Sequence, residues 1–185
     1  MDFLKGDKDF KEAIGALVIA SSEMEFAVTN LCSMVGNDPR EHEQQLFKWW
    51  GERLEKKREA ITQFIKLQIP YLLSEWLIIN SAIGSINEDR NFLVHGFTRY
   101  YLPNTHVVTY RKKKSKIVRK EFSLQAIKSL TNKIHHINTG ANGINGVFQT
   151  KFFLARINTW NNLVDEERRM IYKVNEVILT DWKGA

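Results

Sequence analysis

"IINSAIGSINEDRNFLVHG", residues 78–96, decides how this chain folds. Placed at about 100° per residue, the helix predicted over 71–95 separates two stripes. Leu72, Trp76, Ile79, Ile83 and Val94 form an apolar stripe suited to a core. Asn80, Gly84, Asn87, Glu88, Asn91 and His95 form a second stripe that is polar or small throughout. An ordinary solvated face would be rich in Lys and Glu. This one has three asparagines and ends in a histidine followed by Gly96. Cations favour the last turn of a helix and glycine favours the position after it, so a plain helix ending is one reading. A site is the other.

Working outward, helical spacing recurs on both sides. Phe10, Ile14, Leu17, Ser21, Met24, Val28, Leu31 and Val35 predict a first helix over 8–35. "GNDPR" (36–40) stops it and begins the next. A second helix is expected over 41–67, with Leu46, Trp50, Leu54, Ile61, Phe64 and Ile65 near one face and "ERLEKKRE" (52–59) solvated. Pro70 ends it. After the third helix the texture changes to β-branched and aromatic runs, predicting an antiparallel hairpin or meander over 97–121. Ser123 reads as an N-cap. Ile127, Leu130, Ile134, Ile137, Ala141, Ile144 and Phe148 then keep helical spacing straight through "TGANGING" (139–146), which favours one continuous helix over a loop break. A last helix is expected over 164–182. The expected fold is an all-α bundle of four to five helices with a small β insertion after the third. It forms one domain over 1–185, with a core over 8–150 and a C-terminal extension over 151–185.

Composition bounds the function. A net charge of +6 favours acidic partners, nucleic acid first. The single cysteine, Cys32, excludes an intrachain disulfide and a cysteine-based zinc site, and a reducing cytoplasm is the expected compartment. No membrane span is expected, because polar residues interrupt every apolar run. His135 and His136 point about 100° apart on a helix without partner ligands, so no metal is expected. "RKKKSKIVRK" (111–120) offers Lys112, Lys113, Lys114, Lys116 and Arg119, with Tyr110 for base stacking, as an RNA-binding patch. A lysine-rich hairpin tip that keeps a sheet edge soluble is the equal alternative.

The helix order, together with Arg90, Asn91, His95 and Gly96, resembles the HEPN superfamily (higher eukaryotes and prokaryotes nucleotide-binding). Its ribonuclease signature is an arginine, a polar residue and, a few positions on, a histidine at the end of the third core helix. The resemblance covers about residues 8–150. It implies a homodimer with the two motifs meeting in one cleft, and metal-independent cleavage of RNA without a cofactor. It also implies a toxin or phage-defence setting with an antitoxin or defence-system partner. His95 would act as general acid/base and Arg90 as the phosphate-binding cation, with Asn91 orienting the imidazole. The alternatives are a HEPN module that binds nucleotide, RNA or a partner without catalysis, and an unrelated helical interaction protein. Asn87 and Glu88 support the site on the polar stripe. Arg90 lies about 140° from His95 on an ideal helix, inside the apolar stripe. Burial there requires a carboxylate, and Glu25, flanking the apolar seam of the first helix, is the expected partner.

Overall fold

The computed structural model describes residues 3–35, 42–101, 106–113, 115–140 and 143–159. Among the described residues, six α-helices and one three-stranded sheet follow in the order α1 (Phe3–Ser33), α2 (His42–Trp50), α3 (Leu54–Gln68), α4 (Leu73–His95), β1 (Phe97–Tyr101), β2 (His106–Lys113), β3 (Lys116–Ser123), α5 (Leu124–Thr139) and α6 (Gln149–Thr159). The described residues fall into two compact units, one within 3–28 and 74–149, the other within 29–73 and 150–159.

In the first unit most of the predicted α1 stripe is buried: Phe10, Leu17, Ser21, Met24 and Val28 are inside, whereas Ile14 is only half-buried and Ala13 is buried beside it. Ser21 satisfies its hydroxyl by donating to the Leu17 carbonyl at 2.7 Å, so a polar residue fits the apolar stripe. By composition α1 is the one helix among the described residues long and apolar enough to cross a membrane, with a mean hydropathy of 1.2 over an 18-residue stretch within Lys8–Ser33. A core helix of a folded domain meets the same criterion, and 44% of that stretch is buried here. On α4, Trp76, Ile79 and Ile83 are buried as expected, and the Trp76 ring stacks on Phe148 at 5.7 Å.

The sheet is an antiparallel meander in the order β1-β2-β3. It reaches two residues beyond the predicted insertion, because Ser123 ends β3 and also caps α5, accepting from the Ala126 amide at 3.1 Å.

The predicted continuity through 139–146 does not hold. α5 ends at Thr139, and a wide turn at Ile144–Phe148 leads into α6, with Gly146 at non-helical angles (φ −105°, ψ −136°). The apolar spacing survives because Ile144 and Phe148 are still buried. The chain reaches the core again by a different backbone path. Asn145 bridges the break by donating to the Asn138 side-chain oxygen at 2.9 Å.

In the second unit the expected single helix over 41–67 is two, interrupted at 51–53, so the motif helix is the fourth and not the third. The reason lies in Lys57. That residue is buried rather than solvated, and its ammonium donates to the Thr29 hydroxyl at 2.8 Å and the Trp50 carbonyl at 3.5 Å. Opening the helix at Gly51 frees a carbonyl for it. Leu54 is buried too, whereas Trp50, expected on the core face, is 60% exposed. Cys32 is buried and donates to the Lys57 carbonyl at 3.2 Å. Burial pushes its thiol up to about 12, against a smaller opposing pull from Lys57, so it is inert at neutral pH. Phe64 and Phe152 pack at 5.5 Å between α3 and α6. The helix expected over 164–182 lies outside the described residues.

Candidate functional site

All the motif residues sit on the last two turns of α4, within the first unit. Arg90 turns inward and pairs with Glu25 of α1, Nη1 to Oε1 at 2.8 Å, with side chains 16% and 34% exposed. This is the expected partner. It is an ion pair largely shielded from water, and the Arg90 Nε is buried without a hydrogen-bond partner. A guanidinium held by one carboxylate and still carrying an unused buried donor is incompletely satisfied.

His95 is the last residue of α4 and is exposed. The helix is regular through it, so helix geometry keeps His95 and Arg90 on different sides, about 140° apart. The second stripe does not act as one surface. Asn87 is 7% exposed, Asn80, Gly84 and Asn91 are half-buried, and only Glu88 and His95 are open. Of the polar row read from the sequence, only Asn87 lies in the interior.

Gly96 ends the helix for a steric reason. A Cβ there would lie 2.2 Å from the Phe92 carbonyl oxygen and 3.2 Å from the Tyr110 carbonyl oxygen of β2. A bare backbone is what lets the helix end pass so close to the sheet.

The predicted RNA-binding patch divides between the two faces of the sheet. Directly paired residues share a face. Thr109 pairs with Lys120, and Lys113 with Lys116, on the side turned to α4. Tyr110 pairs with Arg119, and Lys112 with Ile117, on the other side. Lys113 reaches Glu88 at 2.5 Å, and Lys120 reaches Asp89 at 2.8 Å and Glu88 at 3.7 Å. Both ammonium groups also lie over the Phe92 ring, at 5.4 Å and 4.9 Å from its centre. Lys113 is therefore occupied in docking the hairpin. On the face away from α4 Arg119 pairs with Glu121, Lys112 is exposed and Ile117 is open beside it, while Val108 on the same face is buried. Lys116 is exposed, and Lys114 lies outside the described residues. Asp89, Phe92 and Lys120 complete the contact without a sequence motif to mark them. Their roles follow from the strand register, which places Lys120 opposite Thr109, and spacing alone did not carry that information.

The clamp is electrostatic, and Glu88 shows it. The hydrogen bond from Lys113, then the charge of Lys120, hold its carboxyl below the ordinary carboxylate range. A lowered folded-state pKa stabilises the fold above the unfolded value of about 4.3 and loses that contribution as pH falls through the folded value. Glu88→Gln is therefore expected to lower the urea midpoint at pH 7, with the gap to wild type closing below about pH 4. A gap that stays constant from pH 7 to 3 would remove the charge from the explanation.

Among the described residues no group of three or more His, Cys, Asp or Glu side chains is arranged to hold a metal ion. Two open grooves flank α5. One lies against α4, lined at its base by Ala82, Ile86 and Ile137; the other lies against α1, beside Asp9 and Glu12. His95 lines neither. No family model, curated protein or solved structure matches this chain.

Proposed function

We propose that this chain is a metal-independent endoribonuclease of the HEPN type, working as a homodimer in a toxin or phage-defence setting. The observation that carries the reading is the Glu25–Arg90 pair, set about 1.4 turns before an exposed histidine at the end of α4. A buried arginine with an unused donor is an expensive way to close a helix, since apolar residues would fill the space at lower cost. It is a sensible way to keep a cation beside a phosphate site.

The chemistry needs only these side chains and the RNA. The 2′-hydroxyl attacks the adjacent phosphorus, and His95 accepts its proton. The bond to the 5′-oxygen breaks, and that oxygen takes a proton from the imidazolium of the second copy's His95 as it leaves, while the first His95 keeps the proton it accepted. The products are a 2′,3′-cyclic phosphate and a 5′-hydroxyl. Asn91, one turn before His95, orients the imidazole, and Arg90 balances charge on the phosphoryl oxygens. Because α4 stays regular, the reading has a second copy bring its motif to the same cleft. One arginine then faces the other copy's histidine. Tyr110, Lys112 and Arg119 on the sheet face away from α4 would guide the RNA strand.

A second reading has its own support. Arg90 is committed to Glu25 and Lys113 to Glu88, as in a module that binds RNA or a partner protein without cutting. Incubating the purified chain with mixed RNA in EDTA separates the two. Wild type is expected to yield cyclic-phosphate ends, and His95→Ala to cut at least about a hundredfold more slowly. His95 is exposed, so this change leaves the core intact. Binding without cleavage would establish the module. Neither binding nor cleavage would reject both readings.

A further inference from the structure

We infer that the groove between α4 and α5 is a binding site for a small organic anion with a flat apolar body. It is an open groove of about 500 Å3, within the ordinary size of a small-molecule site. Its base is apolar, formed by Ala82 and Ile86 of α4 and Ile137 of α5. Its rim carries Ser85 from α4 and Ser129, Asn132, Lys133 and His136 from α5.

The spacing on α5 explains the convergence. Residues 129, 132, 133 and 136 are three or four apart and so share one helix face. The rim holds hydroxyls, an amide, an ammonium and an imidazole, and no carboxylate. The neighbouring groove against α1 also touches Asn132 and is lined by Asp9, Glu12 and Lys128, two carboxylates against one ammonium, so it disfavours the same ligand. The asymmetry in charge selects an anion for one side of α5 only.

A second feature fixes the rim. The His136 ring lies over the end of α5, where a Cβ on Gly140 would come within 3.1 Å of its Nδ1. Gly140 is at φ −61°, an angle open to any residue, so its bare backbone here provides room rather than unusual torsion. Among the described residues the Lys133 ammonium and the His136 ring form no hydrogen bond or ion pair, which leaves their donors available. An anionic head on Lys133 and His136 places the apolar body over Ala82 and Ile86. A phosphate monoester and a carboxylate share this chemistry.

The site is independent of RNA cleavage and is tested without it. The full chain, labelled with 15N, is titrated with phenyl phosphate, benzoate and benzyl alcohol while amide shifts are followed. Saturable shifts confined to residues 82–86 and 129–140 are expected, with Kd of about 1 mM or tighter for at least one anion. The tighter of the two anions then identifies phosphate or carboxylate as the head group. Benzyl alcohol is expected to bind at least about tenfold more weakly, and Lys133→Ala to weaken the anion by a similar factor. Lys133 is exposed, so that variant folds. Shifts that do not saturate by about 10 mM, that centre elsewhere, or that are equal for benzyl alcohol would overturn the assignment.

Discussion

Phe92→Ala is expected to destabilise the first unit by about 4 kcal/mol, the largest effect of any single change near the motif. Phe92 is fully buried, so its removal leaves a ring-sized void under the last turn of α4. That term alone accounts for about 3–5 kcal/mol. The ring also seats the Lys113 and Lys120 ammonium groups, at roughly 0.5–1 kcal/mol each for partly exposed cations. Both lysines would keep their carboxylates, so the hairpin loses its floor and not its charges. Phe92→Leu separates the two contributions. Leucine restores most of the buried volume but offers no π face, and the expected loss falls to about 1–2 kcal/mol. Chemical denaturation of both variants, followed by circular dichroism, reads the difference. Equal losses for Ala and Leu would mean that the ring's charge interaction, not its volume, holds the helix end. A loss for Phe92→Ala under about 1 kcal/mol would mean that the Phe92 ring does not matter to the fold.

What the sequence revealed about this region depended on how local the deciding interaction was. Arg90 falls among Trp76, Ile79 and Ile83 at helical spacing, and a charge in that stripe demands a carboxylate. Glu25 flanks the seam of α1, and the pair exists at 2.8 Å. Helical periodicity and the cost of a buried charge sufficed for that. The Ser123 cap was legible for the same reason, since capping involves residues three apart. Lys57 was not legible. Its stretch reads as solvated because its neighbours are charged, and its hydroxyl partner, Thr29, is 28 residues away. The helix break at 51–53 follows from that burial, which no local window contains. The break at 140–146 was hidden differently. The apolar period runs on correctly through it, because a wide turn returns Ile144 and Phe148 to the core as a helix would have done. The division of the lysine patch required the register of β2 against β3, where a shift by one residue would exchange the faces. Lys113 would then have pointed away from Glu88.

The Glu25–Arg90 pair is expected to be worth more to the fold when half of it is removed than when all of it is. Glu25→Ala leaves a guanidinium only 16% exposed, with its Nε already unpartnered. Fully buried pairs lose about 3–5 kcal/mol on such a change, and the partial exposure of both groups scales this to about 2–3 kcal/mol. Arg90→Met keeps an unbranched apolar stem in the same space and leaves Glu25, which is 34% exposed, able to turn toward water. The expected loss is about 1 kcal/mol. In the double variant Glu25→Ala with Arg90→Met, the stranded charge is gone, so stability is expected to recover to within about 1 kcal/mol of Arg90→Met alone. Urea midpoints of the four proteins close the cycle. The outcome bears directly on function. If the double variant is as stable as wild type yet its RNA cleavage is lost, the pair is there for chemistry, because the fold does not need it. If the double variant is the least stable of the four, Arg90 and Glu25 are structural partners, and the case for Arg90 as the phosphate-binding cation fails, leaving His95 to be judged alone.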